Sequence, residues 1–129
     1  MAERQSYSTG TVFETEFGYN RAVRVGDSVR IAGTVAVEDG EVVAPGDPYE
    51  QASFALDRIE ESLQEVGAEM SDVVITRVLV TDFADWEEIG RAHGEAFPDE
   101  KPASTMIGVD SLPEPGMVLE IEAEAIVSE

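Results

Sequence analysis

Apolar residues recur along this chain with two different periods, and the switches between them mark out its elements. In Val118 to Val127 the alternation is strict, with Leu119, Ile121, Ala123, Ala125 and Val127 on one side and Glu120, Glu122 and Glu124 on the other. That is the pattern of a strand covered on one face. Val73 to Val80 is rich in β-branched residues, with Val74, Thr76, Val78 and Val80 on one face and Val73, Ile75, Arg77 and Leu79 on the other. Only Thr76 and Arg77 interrupt its apolar character, which predicts a central strand. A further strand is predicted over Ala103 to Val109, joined to the last one by the Leu112-Pro113-Glu114-Pro115-Gly116 turn. From Ala22 to Val37 two short strands meet at Gly26-Asp27, and Asp39-Gly40 turns Val35-Ala36-Val37 into Glu41-Val42-Val43.

Helical spacing appears twice. Asp47 stands as N-cap before Pro48, then Ala52, Ala55, Leu56, Ile59, Leu63 and Val66 follow at intervals of three and four until Gly67. The second helix, capped by Thr81 or Asp82 and ended by Pro98, carries Phe83, Trp86, Ile89, His93 and Phe97 along one stripe. The order of strands, helix, strand, helix and two strands predicts an α+β fold: a two-layer sandwich of a mixed β-sheet with both helices on one face. The opposite face, with its Val, Ile and Met positions, is left for subunit packing. At 129 residues, one domain over 1–129 is expected.

Charge changes the picture more than composition does. With 28 acidic residues against 8 basic ones the formal net charge is -20. Such a chain repels phosphate backbones, so no nucleic-acid partner is expected. Its hydrophobic content of 43% is that of a packed core, so the acidity does not signal disorder. One lysine, Lys101, among the cations and so large a negative excess suggest a halophilic protein, working where salt screens self-repulsion; an ordinary acidic cytosolic protein is the alternative. No cysteine is present, which removes disulfides, thiolate nucleophiles and Cys-based metal sites. The polar opening MAERQSYS has no signal-peptide core and no apolar run reaches membrane-spanning length. A cytoplasmic location and no membrane partner are therefore expected.

Pro102-Ala103 opening a strand, Leu112-Pro113 and the closing Glu120-Ile121-Glu122-Ala123, together with the Gly18-Tyr19, Gly26 and Gly33 spacing, resemble the Rid family of reactive-intermediate deaminases, also called YjgF. The resemblance covers nearly the whole chain. It implies a chorismate mutase-like fold, a homotrimer with clefts between subunits, and hydrolysis of small enamines and imines to ammonia and a 2-oxo acid. That chemistry needs a cation for the substrate carboxylate, a positioned water and a proton relay. By the resemblance Glu120 orients the water, Tyr19 flanks the cleft and Gly33 lines it.

The chain also departs from the pattern. Ser104 stands where deaminases of the family carry the arginine that grips the carboxylate, Gly90 where asparagine is usual, His93 where an aromatic is common, and Met106 where cysteine is frequent. Retained water machinery beside a lost anchor implies a divergent branch whose substrate is shifted from the usual 2-imino acids, or is differently gripped. Ser104, Thr105, Met106, Gly33, Gly90 and His93 are the candidate substrate contacts, and Glu120 and Tyr19 the candidate catalytic pair. Structural roles compete with each: a solvated strand face for Glu122 and Glu124, a core histidine for His93, a core anchor for Trp86, packing for Tyr19, strand-edge satisfaction for Ser104 and Thr105. Arg21, Arg24 and Arg91 are the possible replacements for the missing cation, against surface pairing with carboxylates. No metal and no cofactor are expected, since three glutamates at alternate strand positions splay too widely for one ion. A non-catalytic member binding a small metabolite or a partner is the rival reading.

Overall fold

The computed structural model describes residues 3–128. Six strands form one mixed sheet in the order β1-β2-β3-β8-β6-β7, where β1 is Arg4–Tyr7, β2 Ala22–Val25, β3 Ser28–Thr34, β6 Val73–Val80, β7 Ala103–Gly108 and β8 Leu119–Ile126. A two-stranded ribbon, β4 (Val37–Glu38) with β5 (Glu41–Val42), stands apart. Its turn residues Asp39 and Gly40 both take positive φ, 52° and 79°, as the tightest hairpin connection requires.

Helix α2, Pro48–Glu65, begins where Asp47 accepts a hydrogen bond from the Glu50 backbone N–H, with Pro48 in the first turn. It ends at Gly67, whose φ of 80° lets its own N–H reach Gln64 O while the Ala68 N–H reaches Leu63 O. Helix α3, Trp86–Ala96, follows a 3₁₀ turn over Phe83–Asp85 that Asp82 caps.

Both crossovers, β3 through α2 to β6 and β6 through α3 to β7, step in the same direction across the sheet between parallel strands. Crossovers of one handedness that step the same way must lay their helices on the same face, and they do. The core forms there. Ala52, Ala55, Leu56, Ile59 and Leu63 of α2 and Ile89 and Ala92 of α3 meet Val29, Ile31, Val78, Val80, Leu119, Ile121 and Ala123, all buried. None of the described helices is long and apolar enough to cross a membrane.

This arrangement corrects two expectations, for β6 and for the stripe of the second helix, and adds two features not anticipated. The N-terminal segment carries a strand, β1, and a short helix, α1 (Val12–Phe17), where neither was expected. The strands β7 and β8, read as consecutive across a turn, do not pair; β6 lies between them. In β6 a register shift between Val73 and Ile75 turns Val73 to the core and leaves Val74 exposed, reversing the first two positions of the predicted alternation. The apolar stripe of the second helix is buried only from Ile89 onward: Phe83 and Trp86 remain 54% exposed, so Trp86 is no core anchor in the isolated chain. Phe83 lies over Gly108 of the edge strand β7, which has no side chain to cover it.

Candidate functional site

Strand parity sorts the candidate residues into two groups on opposite sides of the sheet. Glu120 projects from β8 to the face without helices, beside the end of β3. There, between the pairs Ile31–Ala123 and Thr34–Ile121, β3 places two residues, Ala32 and Gly33, against the single Glu122 of β8, and so contains a bulge. Gly33 sits in that bulge, and a Cβ on it would stand 2.6 Å from Glu120 Cδ. Only glycine leaves the carboxylate this position. Tyr19, Gly33, Arg21 and Glu120 all line one open cavity of about 800 Å³, bordered also by α1, the β4–β5 ribbon, the 113–117 turn and Arg58, Glu61 and Ser62 of α2. Tyr19 and Glu120 thus line the same cavity within a single copy.

Burial raises the Glu120 pKa above the ordinary 4.5, the charge of Glu122 raises it further, and the Arg21 guanidinium pulls it down. A carboxyl held in this way can exchange a proton closer to neutral pH than an exposed one. Its row-mates are not a free acidic face. Arg77 of β6 reaches Glu122 at 3.0 Å and Glu124 at 2.8 Å, and Arg30 lies 3.6 Å from Glu124.

The segment that carries Tyr19 is fixed by a buried acid that was not among the candidates. Glu14, 4% exposed, accepts hydrogen bonds from Ser8 Oγ at 2.7 Å, Thr9 N at 3.0 Å, Thr9 Oγ1 at 2.6 Å and Thr11 Oγ1 at 2.8 Å. Burial alone would raise its pKa; the bonds from Thr9, Ser8 and Thr11 outweigh that and bring it to about 2. The signal was in the chain, since Thr11-x-x-Glu14 is a capping-box pattern and Thr11 does cap α1. Phe13 and Phe17 of α1 stack at 6.3 Å and line the same cavity while staying 60% and 74% exposed.

The second group lies on the helix side, toward the sheet's β7 edge. Thr76 of β6, fully buried, donates to Ser104 Oγ at 2.8 Å and has His93 Nε2 at 2.8 Å on its other side. With the threonine proton given to Ser104, His93 must supply Nε2–H to complete the chain. Burial lowers the His93 pKa below 6.5, and its ring packs 4.8 Å from that of Phe97. Met106 shares this side, packed against the core, and Gly90 is exposed on α3 with open space around it. Thr105 alternates to the opposite face, abreast of Arg77. Ser104, His93, Met106 and Gly90 are thus separated by the sheet from Tyr19, Gly33 and Glu120 within one copy. Thr76 had been noticed only as a polar interruption of β6; its partner residues lie 17 and 28 positions away in the chain.

Two of the three arginines considered as anchors are committed elsewhere. Arg24 donates to Gly26 O at 2.8 Å, Val66 O at 3.0 Å and Gly67 O at 3.2 Å, tying β2 to the end of α2. Arg91 lies 3.9 Å over the Tyr49 ring. Of the three, only Arg21 lines the cavity.

The family model described as Endoribonuclease L-PSP matches residues 9–127. An uncharacterized protein of Streptomyces coelicolor is 35% identical over 117 residues, 91% of this chain and 87% of the relative. The 2-iminobutanoate/2-iminopropanoate deaminase of Mus musculus is 34% identical over 110 residues, covering 84% of this chain and 80% of the mouse protein. Among solved structures, Rv2704 of Mycobacterium tuberculosis, described as a member of the YjgF/YER057c/UK114 family, superposes with a TM-score of 0.88 at 42% identity, over 97% of this chain and all of that one. A family match over almost the full length, with relatives this similar on the same α+β sheet, places the chain in the YjgF/Rid family.

Proposed function

We propose that the protein hydrolyses small reactive imines or enamines, with Glu120 placing the water and Tyr19 orienting the substrate. Water adds to the imine carbon, the carbon–nitrogen bond breaks, and the products are ammonia and a carbonyl compound. The observation that carries this reading is the Gly33–Glu120 contact, in which a bulge and a missing side chain keep a carboxyl of raised pKa at the wall of a substrate-sized cavity. The mouse relative's name gives the reaction class.

The two residue groups suggest how the site is completed. Exposed Tyr19, Phe13 and Phe17 on one half, and exposed Phe83, Trp86 and Ser104 on the other, fit a homotrimer in which the cavity of one copy receives the β7 edge of the next. Ser104, already bonded to Thr76, replaces a cation with a neutral hydroxyl, so the substrate is either less anionic than a 2-imino acid or is held from a different wall. A ribonuclease activity, the sense of the family model's description, is opposed by a net charge of -20.

The test is ammonia release, in molar salt, from imines generated in place by an amino-acid oxidase. Turnover above the spontaneous rate, abolished by Glu120→Gln without change of assembly, is expected. No excess rate from wild type or Ser104→Arg with assembly intact overturns the proposal and leaves the non-catalytic binding reading.

A further inference from the structure

We infer that Arg21 is the anion seat of this cavity and that the ligand it selects is a small carboxylate. The inference rests on the cavity being the substrate site, and adds the acid group and the residue that holds it.

Three of the seven arginines, Arg30, Arg58 and Arg77, are paired with carboxylates among the described residues. Two arginines line the cavity. Arg58 is bridged to Glu38 at 3.1 Å and to Glu61 at 3.2 Å. Arg21 has no carboxylate within salt-bridge distance among the described residues. Its Nη2 instead donates into the β3 bulge, to Ala32 O at 3.2 Å, Thr34 Oγ1 at 3.2 Å and Gly33 O. Its backbone is fixed as well, the N–H donating to Tyr7 O at 2.8 Å and the carbonyl accepting from Ala32 N at 2.9 Å. One corner of the guanidinium is thus pinned by neutral acceptors, and Nη1 and Nε make no hydrogen bond to the described residues.

A guanidinium has five N–H donors and keeps its charge at every physiological pH, and the half-buried Arg21 at the cavity wall has Nη1 and Nε free of acceptors among the described residues. Pinning removes the rotamer entropy that a surface arginine loses when it binds an anion. The long-range field of the protein repels anions, yet at physiological ionic strength that field decays over roughly 8 Å. Selection of an anion therefore depends on a fixed local cation, and Arg21 is the one the cavity supplies. Glu120 is the counterweight: its charge competes with a bound carboxylate for the same guanidinium, and the burial that favours its protonated form relieves that competition. The anchor has moved from the β7 position, where Ser104 points to Thr76, to the wall that also bears Tyr19 and Glu120.

The experiment uses the full chain, with pyruvate and its neutral counterpart pyruvamide titrated at fixed ionic strength while arginine Nε–H signals are followed by NMR. Wild type is expected to bind pyruvate at least about tenfold more tightly than pyruvamide, the margin of a charge-assisted hydrogen bond over a neutral one. The Arg21 Nε–H signal should shift with pyruvate. Arg21→Gln should lose that margin. Because this variant also releases the bulge, Glu120→Gln provides a second measurement with Arg21 intact, and should bind pyruvate more tightly than wild type with pyruvamide unchanged. A pyruvate margin that survives Arg21→Gln, or a wild type that binds the two probes equally or binds neither, overturns the inference. Ammonia release from imines without any carboxylate margin would overturn it while leaving the hydrolase proposal standing; a carboxylate margin without ammonia release would do the reverse.

Discussion

Gly33 is where a single hydrogen atom decides the geometry of the site. A methyl group there meets Glu120 Cδ at 2.6 Å, and since that carboxyl is the far end of a flexible side chain it will swing aside before the backbone yields. Gly33→Ala is therefore expected to leave the urea midpoint almost unchanged and to lower turnover by about a hundredfold, the usual cost of displacing a catalytic group by about 1 Å. A fall in stability with turnover preserved would show the glycine to serve the bulge alone. Glu14 makes the opposite kind of prediction. Its folded pKa of about 2 lies below the unfolded value of 4.5, so its contribution is complete above pH 4.5 and disappears as pH falls through 2. Glu14→Gln should cost on the order of 2–3 kcal/mol at neutral pH, with wild type and variant converging near pH 2. Parallel urea titrations across that range measure it; a constant gap would mean the native carboxylate is not the stabilised species.

At the scale of elements, the Thr76 hydroxyl joins β6, β7 and α3 at one point. Thr76→Val keeps the shape, strands His93 Nε2 and Ser104 Oγ without their partner, and is expected to destabilise by about 1–3 kcal/mol in equilibrium unfolding. No loss would mean that water replaces the threonine. The elements themselves show what the chain discloses unaided. The helix α2 and strand β8 were legible because each has a buried side and a less buried one and periodicity records the difference, β6 through its run of β-branched residues, and the Gly26 and Asp39-Gly40 turns through their turn residues. The strand β1 was not, because Arg4-Gln5-Ser6-Tyr7 is an exposed edge with no covered face, and α1 was not, because Val12, Phe13 and Phe17 point outward. That Tyr19, Gly33 and Glu120 line one cavity accords with their grouping by family resemblance. Arg21 stood among three arginines that could replace the missing cation; the bulge to which its guanidinium is bonded is marked by no local pattern.

For the whole molecule the governing quantity is charge. Arg77, whose own pKa is raised by its bonds to Glu124 and Glu122, is the main cation on a sheet face that, in the proposed trimer, would bring glutamate rows of several copies together. Salt should therefore stabilise this protein: the thermal midpoint is expected to climb as potassium chloride approaches molar concentration, and sedimentation to show three copies there. Arg77→Met should weaken assembly most at low salt, the deficit shrinking as salt rises. A midpoint that falls with salt, or a persistent monomer, would remove the basis for both.

The position of β8 has one more implication. Eighth in chain order, it lies between β3 and β6, and among the described residues it is the strand whose pairing joins the hairpin half of the sheet to the crossover half. A nascent polypeptide emerging from the ribosome can assemble each half separately, but two naked strand edges await a keystone that arrives afterwards. Shortening the chain before Leu119 would not trim the sheet; it would divide it, leaving both fragments open to pairing with strangers.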